Sequence, residues 1–300
     1  MKNAKTNYEN IFYFDQRALS GVLSVDGSYN LAYEPINVVG KGFLKQVMGS
    51  VPTASMSVSR YMTYSDPILN ATGERSRLAI PFSAGLYYKN KYFAFNNGYL
   101  NSYGVSCSVG EVPSIESQFE IYGDIGPNFN PSGNKNVGSV FVPQVKNIIL
   151  TTKGSTTNRI TQFNIDYNIP KVPIYGVSSA DSQFPIEVHN MYPIEVTSSF
   201  TIEIDDYETK SIFDDLSSSA YSSFSIDVKA SILNNVGLSD ADGNNLIDAI
   251  DEENFNSFDK GDDPSIFTFN ASDAVIVSEQ VSSSSDDVMS VNLSYKTYLN

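Results

Sequence analysis

From Ile194 to Ile204 the chain alternates without a break. Ile194, Val196, Ser198, Phe200, Ile202 and Ile204 hold one set of positions; Glu195, Thr197, Ser199, Thr201, Glu203 and Asp205 hold the other. Side chains point to opposite faces of a strand every second residue, so this run predicts a strand with one buried and one wet face. At about 3.3 Å per residue it would reach roughly 36 Å, longer than an ordinary strand. A strand of that length needs neighbours on both edges.

The same phase occurs about 140 residues earlier. Ala54, Met56, Val58, Met62 and Tyr64 alternate with Ser55, Ser57, Ser59, Tyr61 and Thr63, and Arg60 interrupts the apolar set. Each run follows a segment marked by proline and glycine, Glu34 to Pro52 and Lys171 to Pro193. Each of those segments follows a hairpin-like stretch. Val22 to Tyr33 is expected to turn at Asp26-Gly27, and Ile148 to Ile169 near Lys153-Gly154. Further on, the stretch around Phe93 ("YFAFNN") matches that around Phe267 ("IFTFNA"). With those two residues aligned, Ile115, Phe119 and Ile121 fall on Met289, Leu293 and Tyr295.

The order of segments therefore occurs twice, which predicts a tandem duplication. The expected units are residues 1–124 and 139–300, joined by a Gly/Pro/Asn-rich linker at 125–138. The second unit carries an acidic insert at about 208–264, with short helices expected near Ser211 to Leu216 and Leu246 to Asn254. Abundant Ser, Thr, Asn, Tyr and Phe, with only 18% charged residues, fit a chain that is mainly β.

Charge and cysteine content exclude several roles. The net charge is −15, and residues 1–124 balance ten acidic against ten basic side chains, so the remainder holds the whole excess, 24 against nine. Tight nucleic-acid binding needs Lys and Arg to displace counterions, and docking on anionic lipid needs the same. Neither is expected. No segment has the roughly 20 apolar residues of a membrane span, and the start lacks a signal-like apolar run. One cysteine, Cys107, rules out an internal disulfide. Synthesis in the cytosol is the expectation.

Catalytic signatures are scarce. The one histidine, His189, is expected in a loop, with no nucleophile elbow or phosphate loop to accompany it. Cys107 shares its phase with Tyr103, Val105 and Val109 and is expected in the core. An enzyme is not expected. The strongest local motif is "DADGNNLIDAID", Asp240 to Asp251. Asp240, Asp242, Asn244, Asp248 and Asp251 resemble the oxygen donors of an EF-hand calcium loop. Asn245 stands where that loop has glycine, and Asp251 where it has a longer glutamate. The plainer reading is a solvated acidic loop that caps a short helix.

The repeated unit resembles the tail tube (major tail) proteins of tailed bacteriophages, of the duplicated-domain type. The resemblance lies in "PINVVG" with "VMGSVPTASMSVSRY", in "VPIYGV" with "YPIEVTSSFTIEI", and in "IESQFEIYG" and "VMSVNLSYKTY". It implies tandem β-sandwich or barrel domains, each with a short helix and a long hairpin. It implies trimeric rings with pseudo-sixfold symmetry, stacked in the tail of the virion with other tail proteins. DNA would pass through the channel without specific binding, and no cofactor or membrane would be involved.

On that resemblance the polar rows Glu195, Thr197, Ser199, Thr201 and Glu203, with Ser55, Ser57 and Ser59, would line the lumen. An acidic outer wall would give the same composition. Two other classes fit a β-rich chain: another tail, neck, baseplate or decoration protein, and a glycan- or receptor-binding β module with exposed aromatics.

Overall fold

The computed structural model describes residues 11–15, 17–19, 21–30, 33–40, 42–48, 53–62, 66–68, 77–88, 91–109, 111–123, 125–126, 148–152, 155–176, 184–203, 222–229, 265–283 and 289–299. All their regular structure is β-strand; among the described residues there is no helix. The expected helices, the insert from 208 to 221 and from 230 to 264, the Asp240–Asp251 motif and linker residues 127–138 lie outside them.

The first nine strands are β1 (Ile11–Phe14), β2 (Arg17–Ala18), β3 (Val22–Asn30), β4 (Tyr33–Val38), β5 (Gly42–Met48), β6 (Thr53–Tyr61), β7 (Phe82–Tyr88), β8 (Lys91–Ser108) and β9 (Ser114–Ile121). A short β10 (Ile125–Gly126), at the start of the expected linker, pairs with β8. Nine more follow: β11 (Ile148–Thr152), β12 (Ser155–Thr157), β13 (Ile160–Asn168), β14 (Lys171–Ile174), β15 (Glu187–Asn190), β16 (Ile194–Glu203), β17 (Ser222–Lys229), β18 (Ser265–Ser282) and β19 (Ser290–Leu299).

The pairing plan of β1–β9 recurs in β11–β19. In the first set β2 pairs β1, β1 pairs β7, β7 pairs β8, β8 pairs β9, β9 pairs β6 and β6 pairs β3. The second set repeats each step, with β12, β11, β17, β18, β19, β16 and β13 in the same order. The hairpin β4–β5 has its counterpart in β14–β15. Those hairpins occupy the segments that the sequence marks with proline and glycine.

Three of the irregularities coincide too. Bulges lie at Val22/Ser24 and Ile160/Gln162, at Phe82/Ala84 and Ser222/Phe224, and at Leu100/Ser102 and Ile276/Ser278. A bulge inserts one residue and bends its strand, so three matched bulges fix which residues are equivalent. The shift is 138 residues for β3, 142 for β6, 140 for β7 and 176 for β8 and β9. Phe93 therefore corresponds to Phe269 and not to Phe267; Ile115, Phe119 and Ile121 correspond to Val291, Tyr295 and Thr297. The sequence alignment is two residues out. A slip of two preserves every side chain's face, so alternation cannot detect it.

Asp26-Gly27 is not a turn. It sits inside β3, opposite Ser57 and Met56. Glycine fits there because a Cβ would come within 2.7 Å of the Phe93 ring. The weaker signal holds: β11 and β12 close on each other at Thr152 and Ser155, with Lys153-Gly154 between them.

Strands β8 and β18 are 18 residues long and belong to two ladders each. At Gly98 strand β8 pairs Phe82 on one edge and Ile121 on the other. The two ladders of a unit face each other across the core, as Phe14 meets Phe119 at 5.9 Å and Phe224 meets Tyr295 at 4.7 Å between ring centroids. The units are not separate sheets. Strand β13 pairs the C-terminal half of β8 from Gln162↔Ser108 to Asn168↔Ser102, making one 15-stranded sheet. One apolar cluster runs through both units, from Phe12 and Met56 to Phe200 and Tyr295.

Candidate functional site: a polar face across eight strands

Strands β3, β6, β9, β8, β13, β16, β19 and β18 lie side by side in that order. Directly opposed residues share a face. One row can be followed across seven strands: Ser24, Ser59, Glu116, Gly104, Asp166, Thr197 and Lys296. A second runs Asp26, Ser57, Gln118, Ser102, Asn168 and Glu195. A third runs Ser114, Ser106, Asn164, Ser199, Ser294 and Ser278. The opposite face carries Met56, Val58, Phe119, Val105, Ile165, Val196 and Leu293, all buried.

The rows read from the sequence are thus brought onto one surface. Ser55, Ser57 and Ser59 on β6 and Glu195, Thr197, Ser199, Thr201 and Glu203 on β16 face the same way, separated by β9, β8 and β13. The sequence reading did not draw the polar rows of the three strands between them. Their signal was present in Ser102-x-Gly104-x-Ser106, Glu116-x-Gln118-x-Glu120 and Gln162-x-Asn164-x-Asp166.

Short hydrogen bonds tie the face laterally. Ser28 and Ser55 lie 2.9 Å apart, Ser106 and Ser114 2.8 Å, and Thr201 Oγ1 donates to Asn292 Oδ1 at 2.6 Å. The described residues of this face carry the carboxylates Asp26, Glu116, Glu120, Asp166, Glu195 and Glu203 against Lys296, which pairs with Glu195 at 2.8 Å, and Arg159, which lies opposite Glu203 at the margin. Asp166 takes Asn164 Nδ2 at 2.6 Å. Partial loss of solvent raises its pKa, with the Asn164 bond opposing and Glu116 adding. The surface is small-sided, hydroxyl-rich and weakly acidic.

Beneath it, the residue that interrupted the apolar pattern has a partner. Arg60 is fully buried at 0% exposure and forms an ion pair with Asp66. Asp66 also accepts Tyr103 Oη at 2.6 Å and the Ile68 amide at 2.8 Å. Burial, then Asp66, raises the Tyr103 pKa well above its usual value.

His189 lies in β15 and not in a loop. It pairs with Val172, bridges to Leu78, and its Nε2 lies 3.0 Å from Glu187 Oε2. Cys107 is in the core beside Tyr103 and Val105, and burial with the Glu111 charge pushes its thiol up to about 12. Among the described residues no group of three or more His, Cys, Asp or Glu is placed to hold a metal ion.

No other described strand covers either margin of the eight-stranded face. Among the described residues β3 pairs only with β6, and the C-terminal half of β18 pairs only with β19. No protein-family model matches the chain, and no curated protein matches it.

Proposed function

We propose that this chain is a structural subunit of a bacteriophage tail tube. Three copies join edge to edge into a ring, and rings stack around a lumen that conducts DNA. The observation that carries the reading is a mainly polar face of eight strands, with Val275 and Tyr298 near one margin, whose two outer edges are paired by no other described strand. Open edges invite pairing with further strands, and closure into a barrel removes them. With about 4.8 Å between strands and tilts near 40°, three sets of eight strands give a barrel about 45–50 Å between opposite backbones. That is wider than a DNA duplex.

The lining suits passage rather than capture. Each phosphate contacted by Lys or Arg adds affinity. A face on which six carboxylates outnumber Lys296 and Arg159 offers few such contacts. The role asks for no catalytic group, cofactor or membrane, and it places the protein in the virion tail beside other tail proteins. Negative-stain electron microscopy of the purified chain over a concentration series tests it. Rings or tubes with an open centre are expected. Isolated compact particles at every concentration would overturn it.

A further inference from the structure

We infer that neighbouring copies join through β3 of one and the C-terminal half of β18 of the next, in one register that sets Tyr29 opposite Glu279. The inference rests on the ring reading above and names the strands and residues of its joint.

The internal seam supplies the template. There β13 of the second unit pairs β8 of the first, with Asn168↔Ser102, Tyr167↔Tyr103 and Asp166↔Gly104. The matched bulges make β3 the equivalent of β13 at a shift of 138, and β18 the equivalent of β8 at a shift of 176. Among the described residues those two strands are the ones whose outer edges are left open. Each presents the edge that its equivalent uses inside the chain. Applying both shifts to the internal register gives Asn30↔Ser278, Tyr29↔Glu279, Ser28↔Gln280, Gly27↔Val281 and Asp26↔Ser282.

The side chains fit that transfer. In the internal seam, Tyr103, Tyr167, Val105 and Ile165 extend the core and are buried. Their counterparts at the open edges are Glu279, Tyr29, Val281 and Gly27. Tyr29 is 51% exposed and Val281 40%, although both point to the core side, opposite Ala54 and Val291. Pairing buries them as it buries their equivalents. On the other face Ser28 meets Gln280 and Asp26 meets Ser282, so the polar surface continues across the joint.

Glu279 is the telling position. Both of its carboxylate oxygens are shielded from solvent and have no hydrogen-bond partner among the described residues. In the internal seam the equivalent Tyr103 sends its hydroxyl to Asp66. At the external joint the roles are exchanged: the carboxylate is on β18, and the hydroxyl comes from Tyr29 of the neighbour. A carboxylate buried without a donor is costly, and a phenol O–H supplies one. The joint is head-to-tail, so it builds a ring where the rotation closes.

Paired cysteines test the register in the full chain. Ser28 and Gln280 are exposed, and Cys107 is buried and remains as it is. Opposed residues bring Cβ atoms within disulfide reach and diagonal ones do not. Ser28→Cys with Gln280→Cys should therefore give a covalent ladder on a non-reducing gel, on the order of tenfold more than Ser28→Cys with Ser282→Cys. Tyr29→Phe should weaken self-association on the order of tenfold by sedimentation. Leu23→Ser, outside the transferred pairs, should leave it within about twofold. Rings in the microscope with the slipped pair cross-linking equally or better, or with Tyr29→Phe assembling like the parent, would overturn the register and leave the ring standing. Absence of rings at every concentration would overturn the ring reading, and the joint with it.

Discussion

Asp66→Asn is the substitution that most sharply tests how the first unit is held together. The change keeps the side chain's shape and leaves one oxygen, which can still accept the Ile68 amide now held by Oδ1 at 2.8 Å, while an NH2 takes the place of the Oδ2 that accepts Tyr103 Oη at 2.6 Å, so the phenol must turn to accept. What it removes is the charge opposite Arg60. The Arg60 side chain is 1% exposed and that of Asp66 4%, so water cannot replace the lost partner. Stranding one member of a buried pair costs about 3–5 kcal/mol. For a chain of this size that lowers the melting temperature by about 6–10 °C. Adding Arg60→Met removes the stranded charge and fills similar volume, and should return the protein to within about 2 kcal/mol of the parent. The equivalent residue in the second unit is Ile202, buried and apolar, so an apolar side chain suits that place in the sheet. Thermal melts followed by circular dichroism measure all three proteins. A shift for Asp66→Asn no larger than that of a surface change, about 0.5 kcal/mol, would refute the reasoning, as would a double variant no better than the single.

Gly98 and Phe95 in the first unit correspond to Ala274 and Ala271 in the second. A Cβ on Gly98 would lie 2.0 Å from the Phe95 ring, so Gly98→Ala should cost about 1–3 kcal/mol, yet little once Phe95→Ala is present; additive losses in a denaturation cycle would contradict this. The Cys107 thiol, pushed up to about 12 by burial and the Glu111 charge, should react with a thiol reagent at pH 8 on the order of a hundredfold slower than a free cysteine, and at once in denaturant; rapid native labelling would contradict it. Loss of solvent brings Lys171 down to about 8 from 10.5, with Glu120 opposing. Between those values only the unfolded chain holds the proton, so stability should rise with pH across that window. Lys171→Met should abolish that rise, and parallel melting profiles for the two proteins from pH 8 to 10 would refute it.

Alternation was legible because a strand writes its two faces into the sequence directly. Both polar rows and the paired plan of the units could be read for that reason. Register could not, since Phe93 against Phe267 and Phe93 against Phe269 place the same side chains on the same faces. Asp26-Gly27 misled because glycine serves two purposes; here it makes room for the Phe93 ring rather than for a turn. Arg60 was visible as a break in an apolar run, but its partner Asp66 lies in a stretch without periodicity and could only be found in space. Which strand joins the two units was also beyond the sequence. The pattern of β8 is the same whether its edge meets β13 or water, and only the assembled sheet shows that β3 and β18 are the edges left over.

Hydrogen exchange at those two edges tests the joint between copies most directly. In dilute protein, alternate amides of Asp26–Asn30 and Ser278–Ser282 should exchange fast, while those of the internal seam between β8 and β13 stay protected. Concentrating the protein into rings should slow both edge segments together. Assembled particles whose β3 and β18 amides still exchange as they do in the dilute chain would show that the copies meet elsewhere.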